Sequence, residues 1–167
     1  MDTRSKIMTA SQAASTARRI QAVGGEVVFT NGCFDLLHAG HVRCLEAARS
    51  LGEMLVLGLN SDQSVHALNK GADRPLVPQE QRAEVVAALA AVNAVVIFDE
   101  PTPLALIEMV APDVLVKGGD WPVEGMVGAD FVKERGGRVL NIPLVEGLST
   151  TTLAARIRAS RDEPSVD

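Results

Sequence analysis

Residues 27–41 read Val27-Val-Phe-Thr-Asn-Gly-Cys-Phe-Asp-Leu-Leu-His-Ala-Gly-His41. The opening run, two valines and a phenylalanine, has the composition of a buried strand, and Asn31-Gly32 is a dipeptide that favours tight turns, so a strand is expected to end there. From Val42 to Ser50 the residues are mostly good helix formers with apolar side chains three to four apart, which predicts a helix beginning at or just before His41. His38 and His41 then stand three residues apart at a helix start, on one face and close to the positive end of the helix dipole. Such an end binds anions. Gly40 between the histidines removes a side chain where a ligand would otherwise meet a Cβ.

On the N-terminal side, residues 1–8 read as loose. Thr9-Ala-Ser-Gln12 has the form of a capping box, and the Ala-rich segment to Val23 reads as a helix stopped by Gly24-Gly25, an N-terminal extension over residues 1–25. On the C-terminal side the spacing predicts a strand at 54–60, a short helix to Leu68 capped by Ser61 or Asp62, and a polar loop over 69–78 carrying Lys70 and Arg74. A helix over 79–90, a strand at 94–98, a helix from Thr102-Pro103 to Ala111, a strand at 114–117, a helix at 129–135 and a strand at 138–142 follow. Strands alternating with helices in this way argue for an α/β fold, a single doubly wound, Rossmann-like domain with a five-stranded parallel sheet. Its expected span is 26–159, with a disordered tail at 160–167. Ligands of such sheets sit beyond the carboxyl ends of the strands. The loops at Asn31–His41, Asn60–Asp62 and Lys117–Trp121 all follow strands.

The chain has 167 residues, 47% hydrophobic and only 3% aromatic, a composition suited to helices packed on a parallel sheet. Its net charge of −5 disfavours a general nucleic-acid surface. The absence of a long apolar run or signal-peptide core leads to the expectation of a cytoplasmic protein without membrane partners, and two cysteines are too few for a disulfide framework.

The stretch containing His38-Ala-Gly-His41 resembles the H-x-G-H signature of the nucleotidyltransferase superfamily. Its longer wording, together with Asn60-Ser-Asp62, Arg74-Pro75, Glu80-Gln-Arg82, Leu115-Val-Lys-Gly-Gly-Asp120 and Glu146-Gly-Leu-Ser-Thr-Thr151, is similar to the D-glycero-β-D-manno-heptose 1-phosphate adenylyltransferases, found alone or fused to a sugar kinase. The similarity runs from Glu26 to Arg158. It implies transfer of AMP from ATP to a sugar 1-phosphate, and a homodimer; because the sequence has no cluster of carboxylates able to bind a metal tightly without substrate, Mg²⁺ carried by the triphosphate is expected as the cofactor. It further implies that His38, His41, Lys70 and Thr150 stabilise the reacting phosphates. Thr30, Asn31, Gly32, Cys33, Phe34, Gly40, Lys117, Gly119, Asp120, Ser149 and Thr151 would surround the nucleotide, and Asp35, Asn60, Asp62 and Arg74 the sugar phosphate. For Asp35 two roles stand open, orienting a histidine or approaching the metal.

Three other readings compete. Cys33, His38, His41 and Cys44 have the residue types of a zinc site. A nucleotide-binding protein without catalysis is compatible with the same fold. Glycerol-3-phosphate cytidylyltransferases share the H-x-G-H stretch, but carry Arg and Thr where this chain has Leu144 and Val145. Asn93, where relatives commonly have aspartate, and Trp121-Pro-Val123 also depart from the heptose pattern.

Overall fold

The computed structural model describes residues 2–68, 74–119, 122–143 and 147–159. Lys70, Asp120 and Trp121 lie outside the described residues, as do Leu144, Val145, Glu146 and the expected tail.

Five parallel strands, β1 (Val27–Gly32), β2 (Met54–Asn60), β3 (Ala94–Phe98), β4 (Val114–Gly118) and β5 (Arg138–Ile142), form one sheet in the order β3-β2-β1-β4-β5. The helices are α1 (Ala10–Gln21), α2 (Ala39–Arg49), α3 (Asp62–Ala67), α4 (Gln79–Ala87), α5 (Leu104–Val110), α6 (Ala129–Glu134) and α7 (Thr150–Ala159). Strand β2 is buried along its whole length and the first four residues of β1 are buried, as expected of strands covered on both faces. One core cluster joins Phe29, Val56, Ile107 and Val132, the other Val28, Leu57, Val86 and Val116.

Local chemistry explains the helix boundaries. Thr9 and Gln12 complete the capping box that starts α1, and Ser61 rather than Asp62 caps α3 by accepting the Ser64 amide. Helix α5 starts at Leu104, later than the Thr102-Pro103 pair suggested, and ends on Ala111 in the left-handed conformation. The first residues, read as loose, hold a 3-10 turn at Thr3–Lys6, and the Met8 amide donates to the Val95 carbonyl at 2.9 Å, tying them to the free edge of β3. Ala13, Ala14 and Ala17 of α1 are buried, so the N-terminal helix, an addition in chain order, is part of the main core in packing. Asn93 serves this frame as well, its side-chain oxygen accepting the Leu55 amide at 2.8 Å.

The Asn31-Gly32 pair does not form the tight turn its composition suggests. Both residues extend β1, with Gly32 opposite Leu59 of β2. On its other side β1 pairs with β4 only at Val28 and Phe29. The chain reverses its direction of winding between these two strands, and their early separation opens a crevice at the carboxyl end of the sheet.

Candidate active site

Asn31 and Lys117 flank this crevice from opposite strands, the Lys117 ammonium donating to the Asn31 side-chain oxygen at 3.4 Å. Thr30 is buried at its floor and Gly119, just past β4, has φ of 110°, a conformation open to glycine. Beyond β1 the chain passes Cys33 and then Phe34, which has φ of 46°, uncommon for any residue other than glycine, asparagine or aspartate. Gly32 makes room for this bend: a Cβ there would stand 2.9 Å from the Phe34 ring.

His38 occupies the N-cap position of α2 without capping it through its side chain, and its ring stacks on that of His41 with centroids 3.9 Å apart. The Phe34 ring lies against His41 at 5.2 Å. The Nδ1 atoms of both histidines are buried with no hydrogen-bond partner among the described residues, an expensive arrangement that a polar group brought to the site would relieve. Burial, and next the charge of His38, lower the pKa of His41 from 6.5 to about 4. An anion alongside would oppose both effects.

Gly40 has a part beyond leaving room for a ligand. A Cβ at this position would meet His38 Nδ1 at 2.9 Å and the Cβ of Leu148 at 3.3 Å, so the glycine seats the imidazole and lets the segment leading into α7 approach the start of α2. Ser149 caps α7, its hydroxyl accepting the Thr152 amide at 3.0 Å, while Thr150 and Thr151 form the first turn. Two helix N-termini, each with free backbone amides and a positive dipole end, thus meet beside the crevice.

Asp35 is engaged by the segment that leads into α4. Its carboxylate pairs with Arg74 at 2.6 Å and accepts the amides of Leu76 and Val77 at 2.8 and 2.9 Å. Burial pushes its pKa up, but the hydrogen bonds from Arg74, Leu76 and Val77 and the Arg74 charge outweigh this and hold it below 3.8. Asn60 is turned toward α3, donating to the Ser64 hydroxyl at 2.8 Å, and the Asp62 carboxylate accepts from Arg82 at 2.7 Å. Arg82 escaped the sequence reading as a site residue, since an arginine on an amphipathic helix ordinarily reads as a solvated one. Its side chain is wholly buried, and its guanidinium also donates to the carbonyls of Cys33, Asn60 and Val77 at 2.5, 2.9 and 2.9 Å.

The four side chains with zinc-ligand chemistry do not assemble. Among the described residues no group of three or more His, Cys, Asp or Glu side chains is placed to hold a metal ion, and burial raises the Cys44 thiol pKa. Nor, among the described residues, is any helix long and apolar enough to cross a membrane.

The histidine arrangement predicts an acid-sensitive fold. Below about pH 6.5 the unfolded chain takes up a proton at His41 that the folded chain refuses until about pH 4, so stability falls as pH drops through that window. Asp35 acts in the same direction lower down, its contribution being lost as pH falls below 3.8 and through its folded value. Urea midpoints measured across these windows should therefore decline, and less steeply for His41→Gln between pH 6.5 and 4. An equally steep decline in that variant would contradict a neutral, buried imidazole.

Comparison with known proteins agrees with this geometry. Residues 29–155 match the cytidylyltransferase-like family. The chain is 54% identical to the bifunctional protein HldE of Magnetococcus marinus over 93% of its own length and 32% of that protein, and 58% identical to HldE of Syntrophotalea carbinolica over 80% and 27%. It spans about a third of the length of these relatives. Among solved structures, a lipopolysaccharide core biosynthesis protein from Thermoplasma volcanium superposes with a TM-score of 0.59 at 23% identity, over 73% of this chain and 98% of that one. Pantothenate synthetase from Thermus thermophilus gives 0.61 at 16%, over 92% and 70%, a likeness of fold. With its histidine pair at the start of α2 and its second helix N-terminus at Ser149, the chain belongs to the cytidylyltransferase-like family of nucleotidyltransferases.

Proposed function

We propose that the chain transfers AMP from ATP to D-glycero-β-D-manno-heptose 1-phosphate, giving ADP-heptose and pyrophosphate for lipopolysaccharide core synthesis. The observation that carries this reading is the meeting of two helix N-termini across Gly40 and Leu148, beside two histidines whose buried Nδ1 atoms lack partners among the described residues. The identity to HldE proteins and the fold shared with a lipopolysaccharide core biosynthesis protein support the choice of acceptor.

A phosphate oxygen of the sugar phosphate attacks the α-phosphorus of ATP. The bond from that phosphorus to the oxygen bridging to the β-phosphate breaks, and pyrophosphate leaves with the electron pair. The nucleophile is already an anion, so the protein's task is alignment and charge neutralisation, without a covalent intermediate. His38, His41, Thr150 and the amides at the two helix starts hold the triphosphate, and Lys70 joins them. Thr30 to Phe34, Lys117, Gly119, Asp120, Ser149 and Thr151 enclose the nucleotide. Asp35, Asn60 and Asp62 hold the loops around the sugar phosphate in place, and Arg74 reaches it when released from Asp35.

The described side chains do not form a resident metal site; Mg²⁺ would enter with the ATP it accompanies and would supply neutralisation of the phosphate charge. Pyrophosphate release measured over a grid of nucleotides and sugar phosphates tests the reading, with turnover expected for ATP and heptose 1-phosphate and abolished by excess chelator. Turnover with CTP and glycerol 3-phosphate alone would reassign both substrates. Full activity in chelator would remove the metal.

A further inference from the structure

Arg82 is the one fully buried charged side chain among the described residues. Burying a guanidinium is costly, and a hydrophobic residue often fills such a space with no loss of stability, so its place in the fold asks for another reason. Its four acceptors are spread over the carboxyl ends of β1 and β2, the first residue of α3 and the loop before α4. Three of them are backbone carbonyls, and a planar fork of fixed donors suits such a set in a way that an ammonium does not.

The contact with consequences for chemistry is that to Cys33. Its carbonyl belongs to the peptide that leads into Phe34, the residue bent to positive φ. The Phe34 ring leans on His41, and His41 stacks on His38. The opposite side of the same frame is closed at Val77, whose carbonyl accepts from Arg82 and whose amide donates to Asp35, two residues further along the loop from Cys33.

We propose that Arg82 is a positioning residue for nucleotidyl transfer: by holding the Cys33 carbonyl it keeps Phe34 in its bent conformation, and through the Phe34 ring it keeps the histidine pair stacked over the start of α2. The proposal rests on the function given above for its catalytic consequence, but not for its structural one. Arg82 touches no reacting atom. Releasing the Cys33 peptide lets Phe34 return to the ordinary β or α region and draws its ring away from His41.

The decisive variant is Arg82→Lys, which retains the charge beside Asp62 but cannot span the four acceptors, with Arg82→Met as the second. Histidine titration by NMR on the full chain is the first readout. The expected result is that His41, at about 4 in the parent, moves toward 6.5 in the variants as its ring becomes hydrated. Because lysine preserves the positive charge, a shift in that variant reports ring position. Steady-state kinetics is the second readout, with kcat reduced about tenfold and the KM for ATP changed less, as befits misplaced groups rather than a lost ligand contact. A folded Arg82→Lys chain in which His41 still titrates at about 4 overturns the proposal, and so does an unchanged kcat. Failure of both variants to fold also counts against it, since a positioning role requires that the sheet form without the guanidinium. If the parent releases no pyrophosphate from any substrate pair, the proposed function fails, while the titration still decides the role of Arg82.

Discussion

His41→Ala is expected to lower turnover by roughly 10² to 10³ while the chain remains folded. His41 is held uncharged by burial and by His38, and its Nδ1 has no partner among the described residues. A triphosphate brought against α2 supplies the negative charge that favours the imidazolium, and the charge on the oxygens grows as the bridging bond breaks. The interaction is therefore stronger in the transition state than in the ground state, which places the loss in kcat rather than in KM. His38→Ala should behave alike, because each ring braces the other. The measurement is pyrophosphate release under saturating substrates, with circular dichroism to confirm folding. Rates within a factor of about two of the parent in both folded variants would make the histidines structural.

Gly40→Ala, the addition of one methyl group, should cost on the order of 10²-fold in turnover. Alanine is otherwise the better helix former, so intrinsic propensity favours the substitution. Its Cβ, however, would press on His38 Nδ1 at 2.9 Å, on His38 Cε1 at 3.0 Å and on Leu148 Cβ at 3.3 Å. The imidazole has to rotate away or α7 has to withdraw, and either movement separates the two helix starts that the phosphates would bridge. Thermal melting separates this from general damage: the expected pattern is a melting temperature near that of the parent with strongly reduced kcat. A variant with normal kcat would show that the approach of α7 to α2 is not needed for turnover.

The sheet was legible because its strands carry their own evidence, being short apolar runs bounded by glycine, proline or polar residues at Val27, Met54, Ala94, Val114 and Arg138. Capping chemistry marked the starts of α1 and α3 just as directly. The histidine pair and the Ser149 turn were also visible, because residues that act from a helix start must lie near one another in the chain. What could not be read were relations set by distant partners. Arg82 lies on the same face of α4 as Ala83, Val86 and Ala87, but its charge reads as solvated, and only the folding of four separate segments onto its guanidinium supplies the acceptors that let it be internal. Asp35 sits inside a recognised motif, but its partners at Arg74, Leu76 and Val77 lie about forty residues away, beyond the reach of local pattern. Asn31-Gly32 read as a turn because local propensity takes no account of β2, which continues to pair with both residues.

The early parting of β1 and β4 after Phe29 and Leu115 has a consequence for how such a site changes over time. A hollow made by two strands ceasing to pair is bounded below by main chain, and no side-chain replacement removes it. Residues at its margin, such as Asn31 and Lys117, can then be exchanged one at a time while the hollow itself persists. The shape of the hollow is thereby written in the path of the backbone, and the chemistry of its margin in side chains.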